Sequence, residues 1–120
     1  MAQVLIVDDQ SDIRRLLSIS LGKSYEILES EDGQTALDMV LQHSPRVVLL
    51  DVMMPGAMNG LEVLAAIKSN PLTAHIAVAI VSARGQPHDT QQADNFGADA
   101  YFIKPFSPMQ VVAWVREQIG

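Results

Sequence analysis

The apolar pattern of this chain alternates between two periods from end to end, and that alternation limits the fold more than any other feature. Val4-Leu5-Ile6-Val7 is a continuous run rich in β-branched residues, as a strand covered on both faces requires. Ile13, Leu16, Leu17 and Leu21 then fall on one face of a helix, with Ser11 as the expected N-cap and Gly22 as the stop. Tyr25–Ser30 reads as a short second strand. Ala36, Leu37, Val40 and Leu41 mark a second helix, and Pro45 follows its end. Val47–Leu50 and Ile76–Val81 predict the third and fourth strands. Between them lies a helix carrying Leu61, Leu64, Ala65 and Ile67, closed by Asn70-Pro71. Pro87–Phe96 predicts a weak helix, because Phe96 is its only sizeable apolar residue. That segment should pack loosely, sit exposed and stop at Gly97. Ala100–Ile103 is the fifth strand. Ser107 and Gln110 predict a capping box for the last helix, with Pro108 at its first position.

Five strands alternating with helices imply an α/β fold, a parallel sheet with helices on both faces. The 120 residues suffice for one domain with a real core, expected to span residues 1–120. In such sheets ligands gather at the carboxyl ends of the strands, where the winding reverses. Met1-Ala2-Gln3 leads straight into a strand-like run, so no signal peptide is expected, and no output domain is expected after Gly120. The apolar runs have strand length, well short of a membrane span. Net charge is −6 with no basic cluster, which disfavours direct binding to nucleic acid or an anionic membrane. The absence of Cys removes disulfides and thiolate metal sites and fits a reducing, cytoplasmic setting.

Chemistry concentrates at the strand ends. Asp51 closes the run Val47-Val48-Leu49-Leu50, where a carboxylate is costly to desolvate. Asp8 and Asp9 close the first run in the same way. Three carboxylates in one crevice would raise each other's pKa values unless a cation is bound. With oxygen ligands alone, the set suits a hard cation such as Mg²⁺. Each acid also has a plainer reading, as a helix cap for Asp8 or Asp9 and as a turn residue for Asp51. Ser82 ends strand four, where it is either a turn residue or a donor to a phosphoryl oxygen. Lys104 ends strand five and must be extended before Pro105, which helps aim it at the acids. The alternative is a lysine snorkelling to the surface. The Lys104-Pro105 bond is also open to a cis form. His43, His75 and His88 lie near no motif and read as surface residues, and the methionines read as core and loop filler.

Several pieces, in order, resemble a response-regulator receiver domain of bacterial two-component signalling. They are Val7-Asp8-Asp9, Asp51-Val52-Met53-Met54-Pro55 with Asn59-Gly60, Ser82-Ala83, and Gly97-Ala98-Asp99 leading to Lys104-Pro105-Phe106. The likeness runs the length of the chain. It implies a flavodoxin-like sheet of order 2-1-3-4-5. It implies that Asp51 accepts a phosphoryl group from a histidine kinase or a histidine phosphotransfer protein. Asp8, Asp9 and Asp51 would hold Mg²⁺, with the backbone carbonyl of Met53 as a further ligand. Ser82 and Lys104 would bind the phosphoryl oxygens, with Ser82 and Tyr101 as the switch pair. The fourth helix, fifth strand and fifth helix would form the face that controls an output domain or effector protein. On the last helix Val111, Val112, Val115 and Ile119 form the inward stripe, and Trp114 sits off its centre beside strand five. The resemblance allows a phosphorylation-dependent dimer. It implies no conventional enzyme, only catalysis of the domain's own phosphorylation and dephosphorylation.

The departures are few. The loop Met54-Pro55-Gly56-Ala57-Met58-Asn59-Gly60 is one residue longer than the commonest form. Gln10 stands where many members carry a further acid, and Ser82 replaces the commoner Thr. Three rival readings are weaker. An aspartyl-phosphate phosphatase would need an acid at the position of Met53. A phosphate-independent interaction module would not need the acids, Ser82 and Lys104 together. A nucleotide or flavin binder would need a Gly-rich loop after strand one, which is absent.

Overall fold

The unbroken apolar runs form the middle of the sheet. In the computed structural model, which describes residues 1–119, β1 (Gln3–Val7), β3 (Val47–Leu50) and β4 (Ala77–Ser82) are buried almost throughout. β2 (Glu26–Ser30) and β5 (Ala100–Ile103) lie at the edges and are only partly covered. Every pairing is parallel, and the order is β2-β1-β3-β4-β5, the flavodoxin-like arrangement. The domain end expected at Gly120 lies outside the described residues.

The two-residue strand period divides the interior into two cores. Leu5, Val7, Val48, Leu50, Val78 and Ile80 face α2 (Gly33–His43) and α3 (Gly60–Ser69), meeting Ala36, Val40, Val63, Leu64 and Ile67. Val4, Ile6, Val47, Leu49, Ala79 and Val81 face α1 (Ser11–Leu21) and α5 (Pro108–Ile119), meeting Leu17, Leu21, Val111, Val112 and Val115. A one-residue slip of a central strand would exchange the two sets, so the register is strongly specified. α4 (Pro87–Asn95) contributes only Ala93 to the first core, and Phe96 beyond it is exposed, as the weak pattern predicts. Trp114 is half-buried against Phe102, edge to face, with ring centroids 6.2 Å apart.

Some sequence expectations need correction. Leu16 and Leu41 are exposed, not core. The row of α1 that meets the sheet is Ile13, Leu17 and Leu21, and Leu16 falls beside it. Ser11 is the first helical residue, not the cap; Gln10 holds the N-cap position without a side-chain cap bond. α2 is capped by Asp32, whose carboxylate accepts from the Thr35 amide at 2.8 Å. α3 starts with a reciprocal box between Asn59 and Glu62, satisfying two orphan amides. At α5 half of the expected box is seen, Ser107 Oγ accepting from the Gln110 amide at 3.4 Å. β4 runs one residue later than expected, so Ser82 is its last residue. The Lys104-Pro105 bond is cis.

At the opposite end of the sheet from the acids, Lys68 ties α3 to two strands. Its Nζ donates to the carbonyls of Ala74 (3.2 Å) and Ile76 (2.6 Å) and to Asp99 Oδ2 (2.9 Å). Asp99 Oδ2 also accepts from the Val78 amide at 2.8 Å.

Candidate functional site

β1 and β3 are neighbours, and Val7 pairs with Leu50. Asp8 and Asp51 therefore leave adjacent strands at the same level. The Asp51 amide donates to the Val7 carbonyl at 2.9 Å and the Asp8 amide to the Ser30 carbonyl at 3.1 Å, which fixes both backbones. Both side chains are buried, whereas Asp9, one residue further along, is exposed. Strand alternation has ended by then, and one carboxylate oxygen each from Asp8, Asp9 and Asp51 lies within 4.8 Å of the others.

On the far side, the Lys104 amide donates to the Ser82 carbonyl at 2.8 Å, bringing the end of β5 alongside β4. The Lys104 side chain turns inward rather than snorkelling. Its Nζ lies 2.8 Å from Asp8 Oδ2, 3.6 Å from Asp51 Oδ2 and 3.2 Å from Gln10 Oε1. Burial holds the Asp51 carboxyl above its ordinary range, with Asp8 adding to the effect. Lys104 opposes the shift, as does the Met53 amide, which donates to Asp51 Oδ1 at 3.2 Å. Asp8 Oδ1 accepts from the Gln10 amide at 2.9 Å, and its backbone carbonyl accepts from Arg14 Nη1.

The pocket between these groups is lined by Asp9, Gln10, Asp51, Met53, Ala83 and Lys104. Three carboxylates against one ammonium leave two negative charges there. An all-oxygen donor set with that charge fits a hard divalent cation. Ser82 is fully buried beside the pocket, its Oγ accepting from the Arg84 amide at 3.1 Å. Tyr101 is half-buried, and its hydroxyl donates to the Arg84 carbonyl. Burial is the main reason its phenol pKa is raised. The three histidines are exposed.

One contributor is not evident from sequence. Arg14 reaches back past the start of α1 to the Asp8 carbonyl, and no local pattern announces that. Asn59 and Gly60 anchor the loop after Asp51, for which Asn59-x-x-Glu62 is a readable capping signal. A Cβ on Gly60 would lie 2.0 Å from the Asp51 carbonyl oxygen, so only glycine admits this approach.

Residues 4–116 match the model of the response regulator receiver domain. The chain belongs to that family. Receiver domains of response regulators are signalling switches rather than conventional enzymes. This receiver domain is 38% identical over 114 residues to the phosphate regulon transcriptional regulatory protein PhoB of Pseudomonas aeruginosa, covering 94% of this chain and 49% of that protein. It thus spans about half the length of the curated relatives it matches. Among solved structures, the chemotaxis protein CheY4 of Vibrio cholerae superposes with a TM-score of 0.88 at 29% identity, covering 98% of each chain. A BeF3-activated DrrB receiver domain superposes with a TM-score of 0.90 at 26% identity, covering 99% of this chain and 97% of that one.

Proposed function

We propose that this receiver domain is a phosphorylation-dependent switch in which Asp51 is the phosphoacceptor. The observation that carries the reading is the convergence of Asp8, Asp9 and Asp51 within 4.8 Å, with the Lys104 ammonium 2.8 Å from Asp8 and 3.6 Å from Asp51. A carboxylate oxygen of Asp51 attacks phosphorus. The bond from phosphorus to the donor breaks, and the leaving group departs with the electron pair. Little covalent machinery is needed; positioning and charge neutralisation carry the step. Asp8, Asp9, Asp51 and the Met53 carbonyl hold Mg²⁺, which supplies charge neutralisation between the nucleophile and the incoming phosphoryl group. Lys104 adds a second positive charge, and Ser82 turns its hydroxyl to a phosphoryl oxygen.

The phosphodonor is a histidine kinase or a histidine phosphotransfer protein. The readout is a change of the α4-β5-α5 face, with Tyr101 following Ser82, toward an output domain, an effector protein or a second copy of the chain. The proposed setting of the domain is cytoplasmic; no helix of the described residues is long and apolar enough to cross a membrane.

Acetyl phosphate with Mg²⁺ tests the reading, because the receiver supplies the catalytic groups itself. Mass spectrometry should find one labile phosphoryl group, absent without Mg²⁺ and absent in Asp51→Asn. Calorimetry should show Mg²⁺ binding greatly weakened in Asp9→Ala. Modification of Asp51→Asn at the wild-type level would reject Asp51 as acceptor.

A further inference from the structure

The side chain of the residue that opens α1 does not serve α1. Gln10 occupies the N-cap position with extended backbone, φ −88° and ψ 110°, yet its side chain makes no cap hydrogen bond. Ser, Thr, Asp or Asn would cap a helix there better. Its backbone and its side chain both turn to the acidic pocket instead. Its backbone N–H donates to Asp8 Oδ1 at 2.9 Å, and its side-chain Oε1 accepts from Lys104 Nζ at 3.2 Å. With Lys104 Nζ at 2.8 Å from Asp8 Oδ2, the three residues close a ring.

We propose that Gln10 is a positioning residue for Lys104, a neutral tether that keeps the ammonium at the acceptor carboxylate. The proposal rests on the phosphoacceptor reading of Asp51. Asp8 Oδ1 is already engaged by the Gln10 backbone N–H, so a cation at Asp8 competes with Lys104 for what remains of that carboxylate. Lys104 lies 3.6 Å from Asp51, too far for that contact alone to hold it. Its flexible four-carbon stem then needs another anchor. Gln10 Oε1 supplies one without charge. A carboxylate in its place would grip Lys104 harder, but would add a negative charge to a pocket that must admit an anionic phosphodonor. The amide separates the two tasks.

Gln10→Ser is the informative variant, because it restores a good N-cap while removing the tether. Its melting temperature should equal or exceed that of the wild type, and its Mg²⁺ affinity by calorimetry should be unchanged. Its phosphorylation rate with acetyl phosphate at saturating Mg²⁺ should fall several-fold. That fall should vanish in a Lys104→Ala background, since the tether then has nothing to hold. Gln10→Glu should bind Mg²⁺ more tightly and be phosphorylated more slowly. A wild-type rate in Gln10→Ser, or an equal fall in the Lys104→Ala background, overturns the proposal. The tether is also read without phosphodonor or Mg²⁺, by NMR of the ¹⁵N-labelled lysine ammonium groups. The Lys104 signal, assigned by its loss in Lys104→Ala, should be protected from exchange in the wild type and broadened in Gln10→Ser. An unchanged signal also overturns the proposal. Failure of the wild type to be phosphorylated would instead overturn the Asp51 reading and leave the ammonium signal to judge the tether.

Discussion

Ser82 and Tyr101 hold the same residue from opposite sides. Ser82 Oγ accepts from the Arg84 amide at 3.1 Å, and the Tyr101 hydroxyl donates to the Arg84 carbonyl. The segment between β4 and α4 is thus strung between a buried hydroxyl at the site and an aromatic ring at the sheet edge. A movement of Ser82 toward the pocket removes the acceptor of the Arg84 amide. The carbonyl that anchors Tyr101 belongs to that same residue.

Tyr101→Phe keeps the ring and deletes this link. Its loss should cost about 0.5–1.5 kcal/mol in urea denaturation, the usual net value of one hydrogen bond. With Mg²⁺ and BeF3, amide shift changes in the wild type should extend from the loop at Arg84 into residues 100–103. In Tyr101→Phe they should end near the loop. Equal spread in both proteins would remove Tyr101 from the path.

Asp51→Asn should stabilise the cation-free protein at neutral pH. Burial first, and Asp8 next, raise the folded-state pKa of Asp51 above the ordinary 3.8. The folded state therefore binds the proton more tightly than the unfolded chain. That contribution to stability is fully present below 3.8 and is lost as pH rises through the folded value. Asparagine carries no charge to desolvate, so the gain should appear at neutral pH and fade below 3.8. Thermal melts across that range check the sign. A lower melting temperature for Asp51→Asn at neutral pH would contradict it.

The middle of the sheet was legible because an unbroken apolar run has one reading, and the first polar residue after it marks where burial ends. That placed Asp8, Asp51 and Lys104 at strand ends. Helix faces were less legible. Leu16 and Leu41 continue the apolar stripe of their helices but stand exposed, since hydropathy does not distinguish the row touching the sheet from the row beside it. Ser11 is the better cap by chemistry, yet the chain enters the helix one residue earlier, with the Gln10 amide bound to Asp8. The Lys68–Asp99 contact joins residues 31 apart, and no local pattern carries such a pair.

Gly60→Ala should disturb the site through the backbone. The added Cβ would meet the Asp51 carbonyl oxygen at 2.0 Å and Val52 Cα at 2.7 Å, neither of which can swing aside. A cost of about 3 kcal/mol or more is expected, with loss of phosphorylation as Asp51 is displaced. Gly85→Ala is the control, because its Cβ would meet only the side chain of Ile103, nearest at 2.8 Å. Equal stability of the two variants in urea denaturation would refute the close approach.

Lys68→Met should cost about 1–3 kcal/mol, because the carbonyls of Ala74 and Ile76 lose their donor. An exposed ion pair with Asp99 alone would be worth about 0–1 kcal/mol and would fade in salt. Chemical denaturation in low and high salt separates the two. A small loss that disappears in high salt would reduce Lys68 to a surface charge.

α4 enters the interior through one methyl group, that of Ala93. A partner that grips this helix therefore competes with a single small contact, not with a core. The hydrogen bonds within α4 can travel with it, so re-seating the helix need not melt it. The core under α1 and α5 can stay closed and the core under α2 and α3 loses only Ala93, while the outer surface of the molecule is rearranged.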